Sequence, residues 1–321
     1  MKDLQLIAEA MKKEEHLVIV GHAVPDGDCV GSVLGLFLGL QQLGKTVEAY
    51  LPDKVPDQYH YLHCSEQIRI PEGPIAQGIS VVFVDCGDEQ RVGEAFLSLM
   101  ADHGVIFNLD HHRGNPQFGN YNYVDVEAAA TAEIIYLLLL ALQVTITPGI
   151  AQALFAGIVM DTGNFLNGNT TARSLRIAAD LMDAGVDIDL SRICLFESKP
   201  KAEVVLIARA LDNLVISPDG TMAWISLPYD EMVEIGALEL FPETLINYTR
   251  MIDGVEVGML FREIKPGTVK VGFRSKGKVD VASLASQFGG GGHLQAAGAR
   301  QDGSLSEVIE RVLKAVKDVM A

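Results

Sequence analysis

Three short apolar segments of the sequence each end in residues that can bind a metal ion. The first segment is followed by His22, Asp26 and Asp28, the second by Asp85, and the third by His111. Short apolar, β-branched runs are typical of buried strands in a parallel sheet. In open α/β sheets, ligands bind beyond the carboxyl ends of the strands, where loops bring distant residues together. The pattern therefore predicts one shared metal site, which is typical of a hydrolase.

The types of the candidate ligands indicate which ions they would bind. Asp161 ends the apolar segment AQALFAGIVM and is a sixth candidate, because an unpaired carboxylate would be costly to bury. Imidazole and carboxylate ligands without a thiolate favour Mn²⁺ or Mg²⁺ over a structural zinc ion. The set exceeds the needs of one ion, and two ions about 3.5–4 Å apart, bridged by a carboxylate, would fit it and support phosphoester cleavage. Taken alone, the residues Pro25–Asp28 would also suit an ordinary turn.

The elements that must position these residues alternate between strands and helices. Strands are predicted at His16–Gly21, Thr46–Leu51, Ser80–Val84 and Gly104–Leu109, and helices at Gly27–Leu43, Ala128–Leu142, Thr147–Met160 and Ala172–Ala184. Such alternation predicts an α/β fold in which a mostly parallel sheet is wound with helices.

The pattern changes in the last third of the chain. A connecting helix is predicted at Lys201–Leu214, strands at Met222–Leu227, Val255–Glu263 and Val269–Arg274, and helices at Val281–Phe288 and Leu305–Met320. We therefore predict a catalytic domain over residues 1–195, a linker helix within 196–215 and a smaller α/β domain over 216–321, with the active site in the cleft between the domains.

Composition excludes several classes of function. The 321 residues carry a net charge of −17, which argues against binding of long duplex nucleic acid, because such binding depends on Lys and Arg. The longest apolar stretch, Ile134–Leu142, is far shorter than a membrane span, and the N-terminus lacks the apolar core of a signal peptide. We expect a cytoplasmic protein with no membrane contact, and its four cysteines are interpreted as reduced thiols.

Five motifs resemble those of a known family. The segments His22–Ser32, Val84–Asp88, Leu109–His112 and Met160–Gly163 resemble the four motifs of the DHH phosphoesterases, and Gly289–His293 resembles the signature of the DHH-associated C-terminal domain. The motifs occur in order over nearly the whole chain. By length and architecture the chain is most similar to the group of bifunctional oligoribonucleases (nano-RNases) and pAp phosphatases.

This resemblance implies a role for each candidate residue. One ion would be held by His22, Asp26 and Asp85, and the other by Asp28, Asp85, His111 and Asp161, so that Asp85 bridges them. Asp110 would orient a ligand, and His112 would contact the scissile phosphate or protonate the leaving oxygen.

The candidate substrate contacts lie mainly in the second domain. Gly290, Gly291 and Gly292 have no side chains, so their backbone N–H groups can approach a phosphate closely. The resemblance adds Arg274 and His293, which would grip the end of the substrate. In the first domain, Arg113 and Asn115 directly follow the DHH motif and could reach a substrate.

The implied function is hydrolysis of very short oligoribonucleotides to mononucleotides, with removal of the 3′-phosphate from adenosine 3′,5′-bisphosphate (pAp) as a further activity. The implied cofactors are two divalent cations, with Mn²⁺ favoured over Mg²⁺ or Co²⁺. The alternatives are a phosphodiesterase for linear or cyclic dinucleotides (pApA or pGpG), a manganese pyrophosphatase, and an inactive nucleotide-binding regulator. The resemblance also suggests a homodimer. The apolar stretch Ile134–Leu142 could supply its surface, although burial in the core is favoured.

Overall fold

The computed structural model describes residues 2–75, 77–240 and 245–320. The chain forms two compact units, Met1–Ser198 and Lys199–Ala321. The boundary between the units follows Ser198 and lies within the segment 196–215 that the sequence analysis assigned to the linker. The predicted linker helix lies within the second unit.

A six-stranded parallel sheet organises the first unit. Its strands are β1 (His16–Val20), β2 (Thr46–Tyr50), β3 (Ile68–Arg69), β4 (Ser80–Val84), β5 (Ile106–Asp110) and β6 (Tyr121–Val124). They lie in the order β3-β2-β1-β4-β5-β6, and every neighbouring pair is parallel, as predicted. The chain runs outward from β1 to β3 and then returns to the middle of the sheet, so the strand order reverses between β1 and β4. Ligand sites in open α/β sheets lie beyond the carboxyl ends of the strands at such a point.

Seven α-helices are described in this unit. They are α1 (Lys2–Lys13), α2 (Gly27–Gln42), α3 (Glu94–Ser98), α4 (Thr131–Ala141), α5 (Pro148–Asp161), α6 (Ala172–Asp183) and α7 (Ile188–Phe196). Helix α4 begins three residues later than predicted, because Ala128–Ala130 form a loop instead. Most of the stretch Ile134–Leu142 is buried in the core, the arrangement that the sequence analysis favoured.

Helices α2 and α5 approach each other unusually closely. Four glycines at four-residue spacing line one side of α2: Gly27, Gly31, Gly35 and Gly39. A Cβ atom on Gly31 would lie 2.3 Å from the carbonyl oxygen of Ala153, and one on Gly27 would lie 2.5 Å from Cγ of Met160, both in α5. Only glycine permits this contact between the two backbones. The contact brings the first turn of α2 beside the last turn of α5.

The second unit is a mixed sheet covered by helices on both faces. Its strands are β7 (Leu214–Ile216), β8 (Met222–Leu227), β9 (Val257–Lys265), β10 (Thr268–Ser275), β11 (Gly291–His293) and β12 (Ala296–Asp302), and its helices are α8 (Lys201–Asp212), α9 (Tyr229–Ile235), α10 (Ile246–Met251), α11 (Val281–Ser286) and α12 (Leu305–Met320). The strand order is β11-β12-β10-β9-β8-β7, antiparallel except between β8 and β9.

Each face of this sheet has its own core. Phe261 and Phe273 pack with residues of α11 and α12 on one face. On the other face, Leu206 of α8 and Ile246 of α10 pack against Leu260. None of the helices in the described ranges has the length and apolar character that crossing a membrane requires.

Candidate metal centre

Two histidine rings at the carboxyl edge of the parallel sheet are held in a fixed orientation. His22 follows β1, and its Nδ1 lies 2.8 Å from the carbonyl oxygen of Ala23. His111 follows β5, and its Nδ1 lies 3.2 Å from the carbonyl oxygen of Ala128. A carbonyl oxygen can only accept, so each Nδ1 carries a proton and Nε2 is the nitrogen of each ring that faces the carboxylates and could bind an ion. A backbone partner of this kind is typical of metal-binding histidines.

Asp85 lies between the two histidines. Its Oδ2 is 3.4 Å from Nε2 of His22, and its Oδ1 is 3.6 Å from Nε2 of His111. Ligand atoms that share an ion at about 2.1 Å lie about 3–3.5 Å apart, so these separations suit shared coordination better than direct hydrogen bonding. Asp85 is 2% exposed and has a φ of 60°, a left-handed conformation that is uncommon for residues other than glycine. Its two oxygens thus face two different histidines, each of which is a predicted metal ligand.

Asp28 lies in the first turn of α2 and is buried. Its Oδ2 accepts the backbone N–H of Thr131, and its Oδ1 accepts the N–H of Ala132 and the hydroxyl of Ser32. The carboxylate thus occupies the positive N-terminus of α4. Its Oδ2 is 3.9 Å from Nε2 of His111.

The last two predicted ligands complete the two sets. Oδ2 of Asp161, at the end of α5, lies 3.5 Å from Nε2 of His111. Asp26 caps α2 by accepting the N–H groups of Asp28 and Cys29, and its Oδ1 lies 3.8 Å from Nε2 of His22. Ligand atoms of Asp28, His111 and Asp161 all lie within 4.8 Å of one another. The structure therefore brings all six predicted ligands together.

Burial and the proximity of several carboxylates shift the pKa values of residues in this centre. Burial raises the pKa of Asp161 to about 7. Burial and the charges of Asp85 and Asp161 raise the pKa of Asp28 well above its ordinary value. Burial alone would lower the pKa of His22, but the carboxylates of Asp26 and Asp85 raise it. The oxygen and imidazole donors fit divalent cations such as Mn²⁺ or Mg²⁺, which would balance the negative charge of these carboxylates.

His112 points its ring at a different partner. Its Nδ1 lies 2.7 Å from Oδ1 of Asp110, and this hydrogen bond raises the pKa of His112. Burial alone would raise the pKa of Asp110, but the hydrogen bond from His112 outweighs it and the pKa is lowered. The pair favours a charged imidazolium whose second nitrogen is available as a proton donor.

Asn115 forms a hydrogen bond with the carboxylate of this pair. Its Nδ2 donates to Oδ2 of Asp110 at 2.7 Å, and its Oδ1 accepts from Asn108 at 2.8 Å. The side-chain amide is thus engaged within the protein. A contact between Asn115 and the substrate remains a prediction. Its hydrogen bond to Asp110 indicates that Asn115 orients this carboxylate.

Cys29 belongs to a further potential ligand group with His22 and Asp85. Its thiol is fully buried, and burial raises its pKa to about 11. A thiol with such a pKa stays protonated at neutral pH, which suits the interpretation of Cys29 as a small apolar filler. The four cysteines are free thiols.

The predicted substrate contacts are distributed over both units. Arg113 is on the surface of the first unit, with Nη2 3.9 Å from Glu127. In the second unit, Arg274, Gly290, Gly291 and Gly292 line a common cavity. His293 ends β11, and its side chain lies outside the described part of the structure.

Two supporting residues could not be found from the motifs. Thr131 donates its hydroxyl to Oδ1 of Asp85 at 2.8 Å, and its N–H to Asp28. Ala128 contributes only a carbonyl oxygen, and no side-chain pattern marks such a role. The four-residue spacing of glycines in α2 is the sequence feature that indicates the close approach of Asp28 and Asp161.

Comparison with known proteins places this centre in a family. Residues 16–158 match the DHH family, N-terminal domain, and residues 243–321 match the DHHA1 domain. The bifunctional oligoribonuclease and PAP phosphatase NrnA of Thermus thermophilus is 35% identical over 318 residues, which cover 98% of this chain and 94% of that protein. The chain belongs to the DHH family.

Further relatives of this DHH protein agree. The bifunctional oligoribonuclease and PAP phosphatase NrnA of Bacillus subtilis is 26% identical over 286 residues, covering 88% of each chain. The crystal structure of an exopolyphosphatase-related protein from Bacteroides fragilis shares the fold, with a TM-score of 0.89 at 23% identity over 99% of this chain and 96% of the other. The predictions of a DHH phosphoesterase and of a hydrolase acting on phosphoester bonds are confirmed.

Proposed function

We propose that this DHH protein hydrolyses very short oligoribonucleotides to mononucleotides and removes the 3′-phosphate from pAp. The observation that carries the proposal is the position of Asp85, whose two oxygens face two histidine–carboxylate sets at 3.4 and 3.6 Å. Relatives with both activities in their names align with nearly the full length of the chain, which supports this choice of substrate.

The two sets would hold two divalent cations, with Mn²⁺ favoured over Mg²⁺ or Co²⁺. His22, Asp26 and Asp85 would hold one, and Asp28, Asp85, His111 and Asp161 the other. When bound, such a pair polarises the phosphate and lowers the pKa of water, which supplies a nucleophile at neutral pH.

Residues of the chain itself would protonate the leaving group. His112, held by Asp110, donates a proton to the leaving oxygen as the bond to phosphorus breaks. The ordinary preference of imidazole for its neutral form is opposed by this carboxylate, so the donor remains charged to higher pH. Asn115 keeps Asp110 turned towards the ring.

The substrate is a short, anionic nucleotide chain. Arg274, His293 and the backbone of Gly290, Gly291 and Gly292 would bind its end, with Arg113 as an outer contact. A net charge of −17 disfavours long nucleic acid, which would be repelled beyond the site. We place the enzyme in the cytoplasm, where its four free thiols stay reduced.

The test is a substrate panel with purified protein and Mn²⁺. We expect turnover of ribonucleotides from dinucleotides such as pApA up to pentanucleotides, release of phosphate from pAp, and slower or no turnover of cyclic dinucleotides and pyrophosphate. Asp85→Asn should abolish turnover, whereas Asp102→Asn, a matched change of an exposed carboxylate in another loop, should not. Lack of turnover of both short oligoribonucleotides and pAp would contradict the proposal. Turnover confined to pApA and pGpG, to cyclic dinucleotides or to pyrophosphate would favour the alternatives.

A further inference from the structure

The segment 128–132, which leads into α4, contacts three of the predicted metal ligands. One of its carbonyl oxygens accepts a hydrogen bond from the ring of His111. Thr131 donates its N–H to Asp28 and its hydroxyl to Oδ1 of Asp85, the oxygen that faces His111. All three contacts belong to the ligand set that contains His111. The position of this segment therefore decides the geometry of one of the two sets.

The segment lacks the side chain that usually caps a helix. The N-cap residue of α4 is Ala130, which makes no side-chain hydrogen bond, whereas Ser, Thr, Asn and Asp are preferred at this position. Glu133 takes over part of the role, because its Oε1 accepts the N–H of Ala129 at 3.1 Å. In a capping box the residue three positions after the N-cap reaches back in a similar way. The backbone at Ala129 is thus held by a carboxylate of the first turn of α4.

Glu133 is fully buried and is paired with an arginine from another helix. Its Oε2 accepts from Nε of Arg173 at 2.7 Å, and Nη1 of the same guanidinium donates to Oδ2 of Asp125 at 2.8 Å. The rigid fork of arginine suits such double pairing. The guanidinium therefore joins α6, which carries Arg173, to α4 and to the residue that follows β6.

A second side chain near α6 contacts the same part of the segment. Nδ2 of Asn169 donates to the carbonyl oxygens of Ala129 and Asp161, each at 3.1 Å. Both backbone polar groups of Ala129 are therefore bonded to side chains, its N–H to Glu133 and its carbonyl to Asn169. These bonds fix the segment relative to the end of α5, where the predicted ligand Asp161 lies.

We infer that Glu133 and Arg173 are positioning residues for one of the two metal sites. They act through the segment 128–132 on the ligand set that contains His111. The set that contains His22 is held differently, since the Nδ1 of that ring bonds to the carbonyl oxygen of the next residue. A buried ion pair often stabilises a fold no better than apolar side chains of similar volume, so stability alone does not account for the pair. The inference rests on the proposed function, which assigns one ion to each set.

The test measures binding of Mn²⁺ to the full-length protein without substrate, from the electron paramagnetic resonance signal of free Mn²⁺. We expect Arg173→Ala to weaken binding of one ion by about tenfold or more, as is typical for loss of a residue that orients a metal ligand, and binding of the other by less than about twofold. Arg173→Lys keeps the charge but lacks the fork that contacts two carboxylates, so its effect should be intermediate. Arg176→Ala, a matched change of an exposed arginine in the same helix, should change neither affinity.

Two variants of predicted ligands identify the ion that is affected. Asp161→Asn removes a charge from the set that contains His111, so it should weaken the same ion as Arg173→Ala. Asp26→Asn changes the other set and should weaken the other ion. An effect of Arg173→Ala on the ion that Asp26→Asn weakens would overturn the inference.

Further outcomes separate a positioning role from a structural one. Equal weakening of both ions, or of neither, would overturn the inference. A lower melting temperature in EDTA with unchanged Mn²⁺ binding would show that the pair only stabilises the fold. If Arg173→Ala does not fold, Arg173→Lys decides, and unchanged affinity for both ions in that variant would count against a positioning role. Because no hydrolysis is measured, a selective loss in a protein that hydrolyses neither oligoribonucleotides nor pAp would contradict the proposed function alone.

Discussion

At the scale of single residues, the hydroxyl of Thr131 holds the carboxylate that faces both histidines. It donates to Oδ1 of Asp85 at 2.8 Å and fixes which oxygen turns towards His111. A residue that orients a metal ligand in this way typically contributes 10–100-fold to affinity for the ion.

Thr131→Val should therefore weaken Mn²⁺ binding by about 10–100-fold while leaving turnover at saturating Mn²⁺ largely intact. The backbone N–H that caps Asp28 survives the substitution. The measurement is activity as a function of free Mn²⁺ concentration. Thr170→Val is the matched control, because that buried hydroxyl has no hydrogen-bond partner among the described residues. An unchanged Mn²⁺ dependence in the Thr131 variant would show that the hydroxyl does not orient Asp85.

Gly291, which lines the cavity in the second unit, can be tested in the same way. Gly291→Ala should leave the melting temperature unchanged, since the added methyl group meets no atom of the protein within 4 Å. It should raise KM for nucleotide substrates by about tenfold, because the methyl group takes the place of a ligand that contacts the backbone. A variant that melts normally and keeps its KM would show that Gly291 does not contact the substrate.

At the scale of elements, the contact between α2 and α5 decides whether the ligands meet. Asp28 lies in the first turn of α2 and Asp161 ends α5, and the glycines of α2 set the distance between them. Gly31 contacts a backbone carbonyl, which cannot move aside, whereas Gly35 contacts the side chain of Leu154.

Gly31→Ala should consequently lower the free energy of unfolding by about 1–3 kcal/mol and weaken Mn²⁺ binding, because the helices must separate. Gly35→Ala should be milder in both respects, since Leu154 can change rotamer and alanine favours the helix. Urea unfolding and Mn²⁺ titration of the two variants provide the comparison. Equal effects at both positions would show that the close backbone contact does not set the ligand geometry.

At the scale of the whole molecule, the sequence was informative where apolar runs mark buried strands. The ends of β1, β4 and β5 were predicted from these runs, and with them the carboxylates and imidazoles that converge. Strand β6 is not marked by an apolar run, because Tyr121–Val124 lies at the sheet edge and is at most partly buried, and β12 is not marked because alanine and glycine have low strand propensity.

The supporting contacts could not be predicted for a different reason. Thr131 meets Asp28 across 103 residues of sequence, and its hydroxyl reaches Asp85 only when α4 starts at that residue. The predicted helix starts three residues too early, at Ala128, so the sequence does not indicate that Thr131 is at the helix start and can reach these carboxylates. Sequence motifs identify the candidate metal-binding side chains. The contacts that orient those side chains depend on backbone geometry, which the motifs do not specify.

The raised pKa of Asp161 predicts how the stability and the metal affinity of the protein depend on pH. The folded protein without metal binds a proton at Asp161 up to about pH 7, compared with an ordinary pKa of 3.8. Since the folded state then holds more protons than the unfolded chain, the metal-free protein should lose stability as pH rises through this interval. Metal ions compete with those protons, so their affinity should rise with pH.

The increase in melting temperature on adding Mn²⁺ should accordingly be small near about pH 5.5 and largest above about pH 7.5. Thermal melts in EDTA and in Mn²⁺ across this range provide the measurement. The Asp161→Asn variant should show a weaker pH dependence of the shift. A shift that does not change with pH would contradict the assignment of a shared, proton-competing ligand set.

Three helix ends meet at the candidate centre, because α2 and α4 begin there and α5 ends there. The ends of helices fray before their middles when a protein is warmed. Heat should therefore inactivate this enzyme several degrees before its helical circular dichroism signal disappears, and a bound cation, by pinning all three ends together, should make the two losses coincide.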